Sequence, residues 1–255
     1  MFTLPTTENL SITEEKISDR VSKFVIEPLS PGYGMTLGHS LRRVLLTSLE
    51  GAAASYIKIE GVDHEFSTLK GMREDVVELI INIKSMRVRS ESAEPVTIKL
   101  KKKGGEVKVS DFEPNSDIEF ADPDHHLATL EKDGKLNMEV VIEKGRGYVT
   151  VASKNSDEKL PIGTLAIDSI FTPIKKVHYD VEHTRVGGQT DFDKLTLELT
   201  TDGTVAPAEA VKYASQILVE HFQFVLDGAT KAAGEAAPKE TKAKKTKKST
   251  AKKSK

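Results

Sequence analysis

The chain of 255 residues has no cysteine and no tryptophan. Without cysteine there are no disulfides and no thiolate metal sites, which suits a reducing compartment. The lysine-rich C-terminal stretch has neither arginine nor aromatic residues, so it offers no bidentate base contacts and no stacking platforms for nucleic-acid bases. No apolar run approaches the length that spans a bilayer. Met1 to Arg20 is polar and lacks the apolar core and small-residue cleavage site of a secretion signal, so the Asn9-Leu10-Ser11 sequon reads as accidental.

Catalytic signatures are missing too. There is no G-x-S-x-G elbow, and His64-Glu65 is not followed by the second histidine of a zincin helix. The seven histidines are scattered. His178 and His183 point to opposite faces of a strand-like stretch, and His125-His126 follows a loop-forming Asp122-Pro123-Asp124. Asp180, Asp191 and Asp193 read as turn formers or surface ion-pair partners. No catalytic residue, bound cofactor or metal site is expected in this chain.

Charge is abundant and unevenly placed. From Lys231 to Lys255 there are 10 lysines and 2 glutamates, so a total net charge of −2 leaves −10 on residues 1 to 230. An acidic body argues against a broad phosphate-gripping face. The tail has no large apolar residue and is expected to be disordered from about residue 231 to 255, a solubilising segment or a weak, salt-sensitive nucleic-acid contact.

Period-2 alternation marks strands around Ile57–Ile59, Val96–Leu100, Leu136–Ile142, Val177–Val181 and Leu195–Leu199. Turn signals at Gly104-Gly105, Asp133-Gly134, Asp157 and Asp202-Gly203 separate them. Glu74 to Lys84 reads as a helix on the sheet, begun by Glu74 and Asp75. Pro207 to Leu226 is the longest helical pattern and is expected to stop at Asp227-Gly228.

The most informative stretch is Gly32 to Leu49, G-Y-G-M-T-L-G-H-S-L-R-R-V-L-L-T-S-L. Its glycines fall as G-x-G-x-x-x-G, one residue too long for a dinucleotide fingerprint, and prolines at 28 and 31 spoil the strand that should precede it. The lysine and hydroxyl of a phosphate loop are absent as well. A tight turn feeding a helix accounts for it, with Thr36 as N-cap and Gly51 just past the end. Leu37, Leu41, Val44, Leu45 and Leu49 line one face, and Arg42 and Arg43 project to either side. Periodicity leaves open whether this helix and the last one bury their apolar faces internally or against a second copy.

Several strings together resemble one family: Phe24 to Arg43, Gly61 to Thr68 (G-V-D-H-E-F-S-T), Glu74 to Lys84, Gly145 to Tyr148, Pro161-Ile162-Gly163, and Arg185 to Leu195 with its T-D-F-D-K-L core. In this order they resemble the N-terminal domain of the bacterial RNA polymerase alpha subunit. The resemblance implies an α+β chain of two domains. Residues 1–51 and 179–230 would form a dimerisation domain from both chain ends, with a mostly β domain, 52–178, inserted between them. It implies a homodimeric scaffold for the beta and beta prime subunits, part of a nucleotidyltransferase whose magnesium sits in the partner catalytic subunit, and a cytoplasmic, nucleoid-associated location.

By the same resemblance the dimer interface comprises Leu37, Leu41, Val44, Leu45, Leu218, Phe222 and Val225. The beta contact falls on Arg42, Arg43, Leu46, His64, Glu65, Phe66 and Ser67, and the beta prime contact on Lys84, Ile174 and Lys194. The family usually continues into a compact helical domain that binds upstream DNA; the lysine-rich tail stands in its place here, too short and polar to fold as that domain. One rival reading is a dimeric, non-specific nucleic-acid binder acting through the tail. Another, an enzyme on an alpha-like fold, lacks any convergent set of titratable residues.

Overall fold

The computed structural model describes residues 10–154, 161, 163–186 and 189–235. The expected disorder of the tail therefore falls, from residue 236 on, outside the described residues, as do Ile162, Gly187, Gly188 and the turn signal at Asp157.

Both ends of the chain build one antiparallel sheet. Strands β1 (Ser11–Ser18), β2 (Val21–Leu29), β11 (Ile174–Val186) and β12 (Gln189–Thr201) lie in the order β1-β2-β12-β11. Phe24 and Ile26 of β2 sit opposite Leu197 and Leu195 of β12. This face is covered by helix α1 (Tyr33–Thr47) through Leu41 and Leu45, and by the start of α4 (Pro207–Glu235) through Ala210 and Ala214. Each large aliphatic side chain so buried contributes roughly 1.5–3 kcal/mol.

A second core belongs to the middle of the chain. A six-stranded sheet contains β3 (Glu50–Ile59), β4 (Val88–Ser90), β5 (Val96–Lys108), β6 (Ile118–Phe120) and β7 (His126–Arg146) in the order β5-β7-β3-β4-β6, with β9 (Thr164–Ala166) also paired to β3. Helix α2 (Val76–Ser85) covers it with Val76, Leu79 and Ile83, none with any exposed surface. The Asp75 side chain caps that helix, accepting the Glu78 N–H at 2.7 Å. Strands β8 (Tyr148–Val149) and β10 (Ser169–Ile170) pair beside it, and the short helix α3 (Val151–Lys154) follows β8.

Five local expectations need correcting. Gly104-Gly105 lies inside β5, where two positive-φ glycines mark a bulge in a continuing strand, and Asp133-Gly134 lies inside β7. Thr36 is not the N-cap: the helix begins at Tyr33 after Gly32, and Thr36 donates its hydroxyl back to the Gly32 carbonyl. Gly51 belongs to β3, where the Phe171 carbonyl oxygen stands only 1.9 Å from the position a Cβ would take. Helix α4 does not stop at Gly228 but runs to Glu235, beyond the expected boundary at 231. A helical glycine costs about 1 kcal/mol, and alanines on its C-terminal side offset part of that.

By compactness the chain forms two units, residues 1–218 and 219–255. The first holds both cores. The described part of the second is the continuation of α4, whose Val219, Phe222, Phe224, Val225 and Leu226 are between 59% and 80% exposed.

Gly38 measures how closely α1 approaches the sheet: a Cβ there would lie 2.6 Å from the Tyr179 ring and 3.0 Å from Leu195. On an exposed helix Gly→Ala stabilises by about 1 kcal/mol. Here we expect Gly38→Ala to destabilise by about 1–3 kcal/mol through overpacking, read as a lower urea midpoint; a raised midpoint would refute the close approach.

Candidate docking site

Helix α1 carries the arginine pair, and its placement depends on a buried carboxylate. Gly32 adopts φ +84°, the left-handed region that glycine enters freely. This turns the Gly32 and Gly34 N–H groups toward β12, where both donate to Asp193 Oδ2 at 2.8 and 3.0 Å. Asp193 is 3% exposed. The unpaired N–H groups and positive dipole end of a helix suit an anion. The glycine segment is thus an anion cradle after all, filled by the protein's own carboxylate. Asp193 is accordingly neither a turn former nor a surface ion-pair residue, although His183 Nδ1 lies 3.7 Å from its other oxygen.

From this fixed start the helix divides its residues between two environments. Leu41 and Leu45 face the chain's own sheet at 6% and 0% exposure. They were expected at the dimer interface, but a side chain buried in its own core offers nothing to a second copy. Leu37, Val44, Leu46 and Leu218 are partly buried at the margin of that core, whereas Phe222 and Val225 are exposed. Arg42 and Arg43 are exposed on the opposite side of α1.

His64 to Ser67 forms a tight turn in the loop between β3 and α2. The Ser67 N–H donates to the His64 carbonyl at 3.1 Å, and the Ser67 hydroxyl reaches the same carbonyl at 2.7 Å and His64 Nδ1 at 3.1 Å. The turn is closed on itself and lifts Phe66 into solvent at 78% exposure. An aromatic ring held out by a self-bonded turn is costly in water and suited to a partner's pocket.

Lys84, Ile174 and Lys194 fall on three different elements. Lys84, near the end of α2, joins a polar cluster: its ammonium meets Asp168 Oδ2 at 3.0 Å and lies 5.3 Å from the centre of the Tyr148 ring. The Tyr148 hydroxyl donates to the same oxygen at 2.8 Å, and the Val151 N–H donates to Asp168 Oδ1 at 2.9 Å. The Val151 N–H above all, then Lys84 and Tyr148, holds the Asp168 carboxyl down at about 2. Lys194 pairs across β12 and β11 with Glu182 at 3.3 Å. Ile174 is 3% exposed in the chain-end core, so the surface contact expected of it is not available; it fills space between sheet and helix.

Two residues of this region escaped the sequence reading. Lys154 donates to the Ile167 carbonyl at 2.8 Å and the Ser169 hydroxyl at 2.6 Å, and burial lowers the pKa of its ammonium. Asp168 itself was the other. Neither stands in a periodic pattern, because both serve contacts between short elements.

A helix seated on a buried carboxylate thus carries Arg42 and Arg43 outward, and a closed turn holds Phe66 in solvent. Residues 57–172 match the family model described as RNA polymerase Rpb3/RpoA insert domain, the segment that holds most of the second core. The chain is 48% identical over 223 residues to the DNA-directed RNA polymerase subunit alpha of Symbiobacterium thermophilum, covering 87% of this chain and 70% of that one. It is 50% identical over 220 residues to the subunit of the same name from Moorella thermoacetica, covering 86% and 70%. The corresponding figures for Herpetosiphon aurantiacus are 49% over 212 residues, covering 82% and 63%. The chain therefore belongs to the DNA-directed RNA polymerase subunit alpha family, and spans about two thirds of the length of these curated relatives. The tail-driven nucleic-acid binder finds no support in these likenesses.

Replacing Asp193 by alanine strands two donors at a buried helix end. We expect a loss of about 2–4 kcal/mol in unfolding free energy, with Asp193→Asn, which keeps one acceptor oxygen, losing less; equal stability of wild type and alanine variant would refute the anchor. The Asp168 cluster sets an acid limit. Because its folded value is depressed below the ordinary 3.8, its contribution is complete above about pH 4 and fades as pH falls toward about 2. A carboxyl-carbon NMR titration should place its inflection near the lower figure, and in Lys84→Met, one of its donors being gone, the inflection should move up.

Proposed function

We propose that the chain is the assembly scaffold of a DNA-directed RNA polymerase: a homodimer that receives the two large catalytic subunits, beta and beta prime. The observation that carries this reading is the exposed apolar run Val219 to Leu226 on α4, five large apolar side chains in eight residues. A soluble protein covers such a patch with a partner. Closure by a second copy through Phe222 and Val225 is the reading that the family supports; Leu37, Val44 and Leu218, partly buried at the margin of the chain-end core, are the candidates on the other unit.

Arg42, Arg43, Leu46 and the His64–Ser67 turn are then the beta-facing set. Guanidinium groups make paired hydrogen bonds with carboxylates and stack on planar groups, and Phe66 supplies an apolar anchor. Lys84 and Lys194 remain as polar candidates for beta prime. The chemistry of nucleotide addition and its magnesium lie in the catalytic partners, and the assembly works in the cytoplasm on nucleoid DNA. Among the described residues no helix is long and apolar enough to cross a membrane.

Two variants separate the interfaces. Phe222→Asp with Val225→Asp should convert a dimer to a monomer in light scattering, since two charges cannot be buried there unpaired. Arg43→Ala with Phe66→Ala should leave the dimer intact and weaken binding of the beta subunit roughly 10- to 100-fold, the range of hot-spot truncations. A wild-type monomer without affinity for beta would overturn the scaffold.

A further inference from the structure

We propose that the solvent face of β5 and β7 is a docking surface for a short acidic segment of a partner protein, held in extended conformation along the sheet. The inference does not depend on the scaffold reading. In β5 the inward residues Ile98 and Leu100 are buried, and Lys99, Lys101 and Lys103 project outward. Register sets them beside Glu139, Asn137 and Lys135 of β7, and Lys58 of β3 lies on the far side of Glu139. Lys58, Lys99, Lys101, Lys103 and Lys135 share this face with Glu139 and Glu60, and the charge of Glu113, at the β5 edge, also acts on Lys99. Glu60 is engaged by Asn137 Nδ2 at 2.7 Å, and Glu139 by Lys99 at 2.9 Å. Glu139 attracts Lys58 and Lys101 as well, and five lysines against these three carboxylates leave the face with excess positive charge on a body that carries −10 up to residue 230.

Lysines on an outer strand often serve only to prevent strand-to-strand aggregation. That need is reduced here. The Lys99 carbonyl already accepts the Glu113 N–H at 2.8 Å, and Leu100 bridges to Phe112, so part of the β5 edge is closed from the side. The lysines moreover stand on the face of the sheet, in register across three strands.

The spacing selects the partner. Alternate residues of a strand repeat at about 6.8 Å, and an extended peptide with acidic side chains at every second position has the same period. A nucleic-acid duplex carries one charge per about 1.7 Å and continues past any small patch. Past these lysines it would run onto a body whose net charge is −10 up to residue 230, with repulsion reaching about 8 Å. A short acidic segment meets the lysines alone. With no arginine on the face, recognition rests on charge and strand geometry.

The test is fluorescence anisotropy on the full chain, with a labelled peptide of about twelve residues alternating glutamate and threonine, and oligothymidylate of similar length as the competing probe. Lys99→Glu, Lys101→Glu and Lys103→Glu together should weaken peptide binding about tenfold or more, the corresponding glutamine variant should fall between, and oligothymidylate binding should change less than about twofold because the tail persists in every variant. Thermal melting of the variants checks that the fold persists. Unchanged peptide affinity in the folded glutamate variant, or a loss confined to oligothymidylate, would overturn the proposal.

Discussion

The carboxylate of Asp193 beneath the first turn of α1 is the contact on which the rest of the molecule depends. A buried carboxylate is costly unless charge or hydrogen bonds compensate it, and a helix start without side-chain caps has N–H groups to spare. Each satisfies the other through Gly32 and Gly34. The bond joins residues 161 positions apart, so it ties the two ends of the chain together and fixes α1 against the sheet. With the helix fixed, Leu41 and Leu45 must face inward and Arg42 and Arg43 outward. The outward placement of the arginines is a consequence of how the helix is anchored.

Much of this was legible in the residues, and the failures have physical causes. The alternation at Leu136–Ile142 and Leu195–Leu199 announced strands because one face is dry and the other wet. Strand β1 announced nothing: all eight of its side chains are exposed, and it is held by backbone pairing from Ser11 opposite Glu27 to Ser18 opposite Val21. Sequence patterns report side-chain burial, and where only the backbone bonds they are silent. Asp193 did leave a trace, since it falls in phase with Leu195, Leu197 and Leu199 and so on the buried face. An acidic residue on that face requires donors, and the glycine turn is where they are.

The candidate docking residues were read less evenly. Phe66 and the arginines stand in solvent because the local turn and the helix seat put them there. Leu41, Leu45 and Ile174 were assigned to partners, yet they lie in the chain's own core. Helical periodicity shows that a face is apolar without showing what covers it. On α4 the same kind of stripe divides: Ala210 and Ala214 are buried in the chain-end core, and Val219, Phe222, Phe224, Val225 and Leu226 are exposed. Small side chains permit the close approach of helix to sheet, and bulky ones suit a surface still to be covered.

Strand β2 has its neighbour β12 more than 160 residues downstream, with the whole second core made in between. During synthesis the N-terminal strand must wait, while the middle of the chain can collapse first and bring its own ends together, shortening the loop that has to be closed. The glycine turn meets its carboxylate only when nearly all of the described chain has emerged. The architecture therefore imposes a sequence in time: the arginine helix gains its buried anchor only after the intervening chain has been made.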